Sequence, residues 1–235
     1  MTAIASVYPK VRIEAPGAPE PLIADVVGDA MRDFFRDTEV WRHTTSPLLD
    51  WTTGAVFPAL TPGAELPADT RVVRVDEVKY ANDGTNLKSI SFSTRSQLDG
   101  EFPDWEVRTG TSPQRWTNDG NAGSPRIVPI ADADVLSSLQ IRVVVSPIST
   151  MTDVPDWWYD EFHDIWRFGA LARLLKMPGR DWTNPPLAQY YMALEREGVK
   201  MAKSRGDAEF GTPNRTMSYG GIGGSTYVRY DDYGR

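Results

Sequence analysis

Three carboxylates, Asp156, Asp160 and Asp164, recur at every fourth residue, with His163 beside the last. On a helix this spacing puts all three on one face, where a pair with unequal proton affinities would serve as general acid and base. A carboxylate next to a histidine also suits a metal ion, but the spacing fits no familiar metal motif and His43 is the only other histidine. The plainer reading is a solvated face at a helix start, with His163 on the surface or between helices. No catalytic residue, metal ligand or cofactor site is assigned.

Other chemical signatures are equally thin. Gly220-Gly221-Ile222-Gly223-Gly224-Ser225 has the glycines of a phosphate loop, but no lysine follows and no strand and helix flank it, so it reads as linker. There is no serine in a nucleophile elbow and no dinucleotide fingerprint. The eight tryptophans, Trp41, Trp51, Trp105, Trp116, Trp157, Trp158, Trp166 and Trp182, raise the prospect of a sugar-stacking surface. Three of them share one helix and read as core, and the others sit at element ends, where an indole covers an apolar edge while its nitrogen finds a partner.

The chain has no cysteine, which removes disulfide scaffolds, thiol catalysis and cysteine-bound metals. No apolar run suggests a secretion signal or a membrane span, so cytosol-like conditions are expected and the sequon Asn214-Arg215-Thr216 is read as chance. With 235 residues, 40% hydrophobic and 24% charged, a sizeable core is within reach. A net charge of −7 disfavours adhesive binding of phosphate backbones, which needs clustered lysine and arginine.

The elements that would position these residues follow from periodicity. Residues 1–19, with Pro9, Pro16 and Pro19, read as an arm. Leu22, Ile23, Val26, Val27, Ala30, Met31, Phe34 and Phe35 form a stripe on a helix over 21–38. Between about 51 and 146 the period shortens to two, as in Leu139, Ile141, Val143 and Val145. Asn82-Asp83-Gly84, Asp99-Gly100 and Asn118-Asp119-Gly120 stand between such runs as hairpin turns. Asp153-Val154-Pro155-Asp156 opens a second helix over 154–177. Met177-Pro178-Gly179 stops it, and Thr183 or Asn184 caps a third helix over 185–204, with Pro185 in its first turn. Pro178, Gly179, Trp182 and Pro185 thus define a stiff helical hairpin with Trp182 plugging its open end.

The fold expected is α+β: a three-helix bundle from 20–45 and 147–205, an inserted antiparallel β domain over 46–146, and an extended tail over 206–235. The tail is rich in glycine but carries Phe210, Met217, Tyr219, Ile222, Tyr227, Tyr230 and Tyr233, a pattern suited to ordering on a partner.

Five segments stand out when read in order: Leu66-Pro67-Ala68-Asp69-Thr70-Arg71-Val72-Val73-Arg74-Val75, Phe102-Pro103-Asp104-Trp105, Pro125-Arg126-Ile127-Val128-Pro129-Ile130, Val154-Pro155-Asp156-Trp157 and the block from Gly169 to Gly179. Together they resemble the head-to-tail adaptor proteins of short-tailed bacteriophages, the tail tubular protein A type. The last segment, continued by Trp182 and Pro185, is the most specific. The resemblance spans roughly residues 20–204 and implies a structural, non-enzymatic role at the head-to-tail junction of a virion, reached from the host cytoplasm during assembly. It implies a ring of about twelve copies between the portal protein and the tail nozzle. Double-stranded DNA would pass through the lumen without sequence-specific binding, and the C-terminal tail would reach the portal or a neighbouring subunit. The charge of −7, repeated around a bore, would repel DNA from the wall. A carbohydrate- or receptor-binding module and, further off, a hydrolase are the competing readings.

Overall fold

The computed structural model describes residues 1–55, 58, 60–81, 86–118 and 125–210, the side chains of 207–210 excepted. The chain begins with strand β1 (Thr2–Ala3), a 3-10 turn (Ile4–Val7), helix α1 (Tyr8–Glu14) and helix α2 (Glu20–Thr38). Then come β2 (Arg42–Thr44), β3 (Leu49–Trp51), β4 (Thr70–Tyr80), β5 (Lys88–Phe92), helix α3 (Arg95–Glu101), β6 (Thr109–Gly110), β7 (Arg115–Thr117), β8 (Arg126–Val128) and β9 (Ile130–Ala131). The long strand β10 (Val135–Pro147), β11 (Asp153–Val154), helix α4 (Asp156–Leu174) and helix α5 (Pro185–Phe210) complete it.

Seven strands form one curled, mixed sheet in the order β2-β10-β4-β5-β7-β8, with β3 pairing beside β2 on the same edge of β10. Strand β10 lies antiparallel to β4, with Ile141 opposite Val78 and Val143 opposite Val75. Strands β5 and β7 run parallel, Ser91 facing Arg115. A parallel pair needs a crossover, and α3 supplies it. Thr94 caps α3 as a capping box, accepting from the Gln97 amide while the Gln97 side chain accepts from the Thr94 amide.

Helices and sheet share a single hydrophobic core. Ile23, Val27, Met31 and Phe35 of α2, Leu139, Ile141, Val143 and Val145 of β10, and Trp166, Leu171 and Leu174 of α4 all belong to one buried cluster. At its centre Phe35 sits with ring centroids 5.1 Å from Trp41, 5.6 Å from Trp158 and 5.8 Å from Trp166. A small satellite cluster of Leu98, Trp105 and Val128 holds α3 to β8.

This arrangement corrects the expected three-helix bundle with an inserted antiparallel β domain. Five helices occur among the described residues, the large sheet is mixed, and α2 packs on β10 as well as on α4 and α5. Apolar periodicity reports that a stripe is buried, but not what buries it. The first nineteen residues, read as an arm, are also built in. Ile4, Val7, Val11, Ala15 and Ala18 are buried in the common core, and β1 pairs with β11. Pro9 lies in the first turn of α1, where a missing amide hydrogen costs nothing, so it starts a helix rather than preventing one. Asp99-Gly100, expected as a turn, lies inside α3, whereas Asn82-Asp83-Gly84 and Asp119-Gly120 fall outside the described residues.

Because one core serves both layers, Phe35→Ala should destabilise the fold by about 3–5 kcal/mol, the cost of an aromatic cavity at a fully buried site. Urea unfolding followed by far-UV circular dichroism and by tryptophan fluorescence should give coincident transitions that shift together. Two separated transitions, only one of them moved by the substitution, would restore the picture of independent helical and β domains.

Candidate functional site

The acidic face of α4 is dispersed among structural partners. Asp156 accepts from the Met1 ammonium at 2.8 Å and from the Thr2 hydroxyl at 2.7 Å. Those hydrogen bonds, the ammonium's first, hold its carboxyl below the usual range. Asp164 lies 3.6 Å from Arg167 and 3.6 Å from His163. His163 stacks on Tyr159 and its Nδ1 sits 2.8 Å from the Tyr159 carbonyl, while His43 Nε2 lies 3.0 Å from the Glu65 carbonyl. Asp160 is exposed on the outer surface of the helix. Among the described residues no group of three or more His, Asp or Glu side chains converges on a metal-sized site, and no helix is long and apolar enough to cross a membrane.

The α4–α5 hairpin is held by polar contacts within its turn. Gly179 turns the chain at φ 69°, the left-handed region that glycine enters without strain. The Thr183 hydroxyl donates to the Met177 carbonyl at 2.5 Å and accepts from the Arg180 amide at 3.1 Å. Asn184 caps α5, its side chain accepting from the Leu187 amide at 3.3 Å, and Pro185 takes the first helical position. Pro178 is exposed within the turn, and Trp182 is half-buried against the common core with Arg180 over its ring. Helix α4 ends at Leu174, a few residues before Met177, because the chain tightens into a turn ahead of Pro178.

Close approach of α4 and α5 is set by Gly198, where a Cβ would stand 2.7 Å from Ile165 Cγ1. Arg173 then ties three helices, reaching Asp33 of α2 at 2.8 Å and Glu195 of α5 at 3.4 Å. Glu195 is desolvated at this joint, and burial raises its pKa above the ordinary 4.5, with Asp33 adding to the rise and Arg173 and Arg196 opposing it.

Helix α5 runs on to Phe210, past the expected end near 204, so the tail begins later than its glycines suggest. Phe210 closes the helix with its side chain outside the described residues, and Met217, Tyr219, Ile222, Tyr227, Tyr230, Tyr233 and the Gly220–Ser225 string all lie outside them too. At the root of the tail is a shallow groove lined by Val40, Trp157, Trp158, Phe162, Ala202 and Gly206, with Glu161 and Arg205 paired across its rim. Trp157 is 58% exposed and stacks at 3.7 Å on Trp158, which is 5% exposed.

Trp157, expected in the core with its helix neighbours, is instead exposed. The signal against that was local: Asp160 and Glu161, three and four residues on, mark its side of α4 as the charged one. Tyr190 and Met201 of α5 are exposed as well. The remaining indoles give little room for sugar stacking, since Trp41, Trp51, Trp105, Trp116, Trp158 and Trp166 are buried. The nitrogens of Trp105 and Trp116 find Asp99 and the Ile90 carbonyl, as expected of capping indoles. Among the described residues those of Trp51 and Trp182 have no acceptor, against that expectation, and neither do those of the core indoles Trp158 and Trp166.

The joint at Glu195 makes a pH prediction. A carboxyl whose folded pKa is raised favours folding below its unfolded value of 4.5, and that contribution is lost as pH rises through the folded value. The stability of Glu195→Gln minus that of the parent should therefore increase between pH 4 and pH 7, with Arg173 retained on Asp33. Parallel stability-versus-pH curves from chemical denaturation would refute the desolvated joint.

Compared with family models and with curated proteins, the chain matches none.

Proposed function

We propose that this chain is a structural head-to-tail adaptor of a short-tailed bacteriophage, assembling as a ring of about twelve copies between portal and tail nozzle and conducting DNA through its lumen. The observation that carries the reading is the ordered series of segments resembling the tail tubular protein A type. Its most specific block, Gly169 to Gly179 followed by Trp182 and Pro185, builds the end of α4 and the pinned turn into α5. Two physical features support it. Of the three carboxylates with catalytic spacing, Asp156 is tied to the Met1 ammonium, Asp164 lies beside Arg167 and His163, and Asp160 stands exposed on the helix surface. Large apolar side chains, Trp157, Tyr190 and Met201, remain exposed on the helical layer, Trp157 beside the last turns of α5.

In this role the chain acts through contact area, with a rigid body supplying neighbour interfaces and the tyrosine-bearing tail reaching the portal. Association of this kind draws on burial of aromatic anchors more than on charge. The excess negative charge suits a wall along which DNA slides.

Gly206 is buried and α5 continues to Phe210, so the informative truncation ends the chain after Phe210 rather than within the helix. That variant should keep the parent's far-UV spectrum and a cooperative unfolding transition but fail to decorate isolated portal rings in negative-stain electron microscopy, where the full chain adds a ring of density. If the full chain leaves portal rings bare, the adaptor reading is wrong. If the truncated chain binds as well as the parent, the portal contact lies on the rigid body.

A further inference from the structure

We propose that the groove at the root of α5 is the docking site for this chain's own C-terminal segment, residues 211–235, which engages it through Met217, Tyr219 and Ile222. The groove lies where the turn between α2 and β2 meets the start of α4 and the end of α5, and Val40, Trp158, Phe162, Ala202 and Gly206 form its floor. Trp157 is its wall. One face of that indole is stacked on Trp158 and the other looks outward, leaving an apolar platform that single exposed residues such as Ile13, Val107 and Leu136 do not make.

The occupant follows from where the chain goes. Helix α5 ends four residues beyond Gly206, about 6 Å along its axis at 1.5 Å per residue. The seven residues from Phe210 to Met217 can span up to about 24 Å when extended. Gly211 and Pro213, directly after the helix, are the residue types that end helices and reverse chains. Beyond them Met217, Tyr219 and Ile222 bring apolar and aromatic groups, with Gly220 and Gly221 between them allowing a backbone to lie close to an indole face. A tether this short gives its own segment an effective concentration of roughly millimolar, so in a micromolar solution it occupies the groove ahead of another copy's segment. The inference rests on the groove and the tether alone and stands whether or not the chain is a virion adaptor. If both hold, the tail that reaches the portal is one that first leaves this groove.

The test uses the free full-length chain without portal, so its failure leaves the adaptor reading untouched. Since the parent has no cysteine, Met201→Cys on the exposed side of α5 can be paired with Ser218→Cys, and Leu136→Cys with Ser218→Cys serves as the remote control. Under diamide at micromolar protein, the groove pair should form an intrachain disulfide about tenfold faster than the control. Either Trp157→Ala or the tail double variant Met217→Ser with Tyr219→Ser, which leaves residues 1–210 unsubstituted, should slow it by about the same factor, as loss of an aromatic anchor does. Equal closure rates for the two pairs, no slowing in either variant, or cross-linking only between chains would each overturn the proposal, the last by giving the groove to a second copy.

Discussion

The packing around Phe35 is the constraint on which the rest of the structure depends. Phe34 and Phe35 of α2, Trp158, Phe162 and Trp166 of α4, and Trp41 from the turn into β2 form one continuous set of aromatic contacts. Large planar rings have few favourable mutual arrangements, so a cluster of them sets the position of each backbone that carries one. Trp41 carries the constraint across layers. Its indole is in the cluster, and its carbonyl accepts from the Val145 amide of β10 at 2.9 Å. Glu39, just before it, takes a left-handed conformation at φ 53°, closes α2 through the Phe35 carbonyl, and reaches Arg74 of β4 at 2.8 Å. A shift of α2 by one residue would therefore disturb the edge and the centre of the sheet together.

Polar chemistry reinforces this frame instead of forming a separate site. Within the sheet, buried Val144 is flanked in register by Arg42 and Arg74, and both guanidinium groups converge on the buried side chain of Asp76, at 3.1 and 2.9 Å. In the helical layer Arg173 between Asp33 and Glu195 does the same for three helices. Partly buried ion groups of this kind add little net stability, because desolvation offsets the attraction, but removing one partner strands the other. Their effect here is orientation: each network joins elements far apart in the chain, and each fits only one registry of the surfaces it joins.

Individual elements were far more legible than their arrangement. The stripe from Leu22 to Phe35 marks α2 almost to the residue, and the alternation through Val145 and the prolines around Gly179 mark β10 and the hairpin, because these patterns are local. The N-terminal helix escaped since its prolines were weighed as breakers, although Ile4, Val7, Val11 and Ala15 fall on one helical face. Helix α3 escaped because seven residues carry too little periodicity, even though Thr94 and Gln97 spell its cap. The parallel pairing of β5 and β7 is hidden for the same reason, since it depends on the crossover that α3 supplies. At the groove, Trp157 was hidden by its own hydrophobicity; only the charges on its side of the helix distinguish it from Trp158.

Helix α5 gives the functional reading its geometry. At 26 residues and 1.5 Å per residue it is a strut about 39 Å long, with the pinned turn of Pro178, Gly179 and Trp182 at one end and the root of the tail at the other. It is braced near its middle, at Glu195 by Arg173 and at Gly198 by Ile165, and buries Ala188, Tyr191 and Ala202 in the common core. A surface at the hairpin and a surface at the tail cannot then belong to one small-ligand pocket; they are too far apart and too firmly held. In the proposed adaptor role such a strut keeps two macromolecular partners at a set distance, and a pull on the residues beyond Phe210 passes through α5 into the common core.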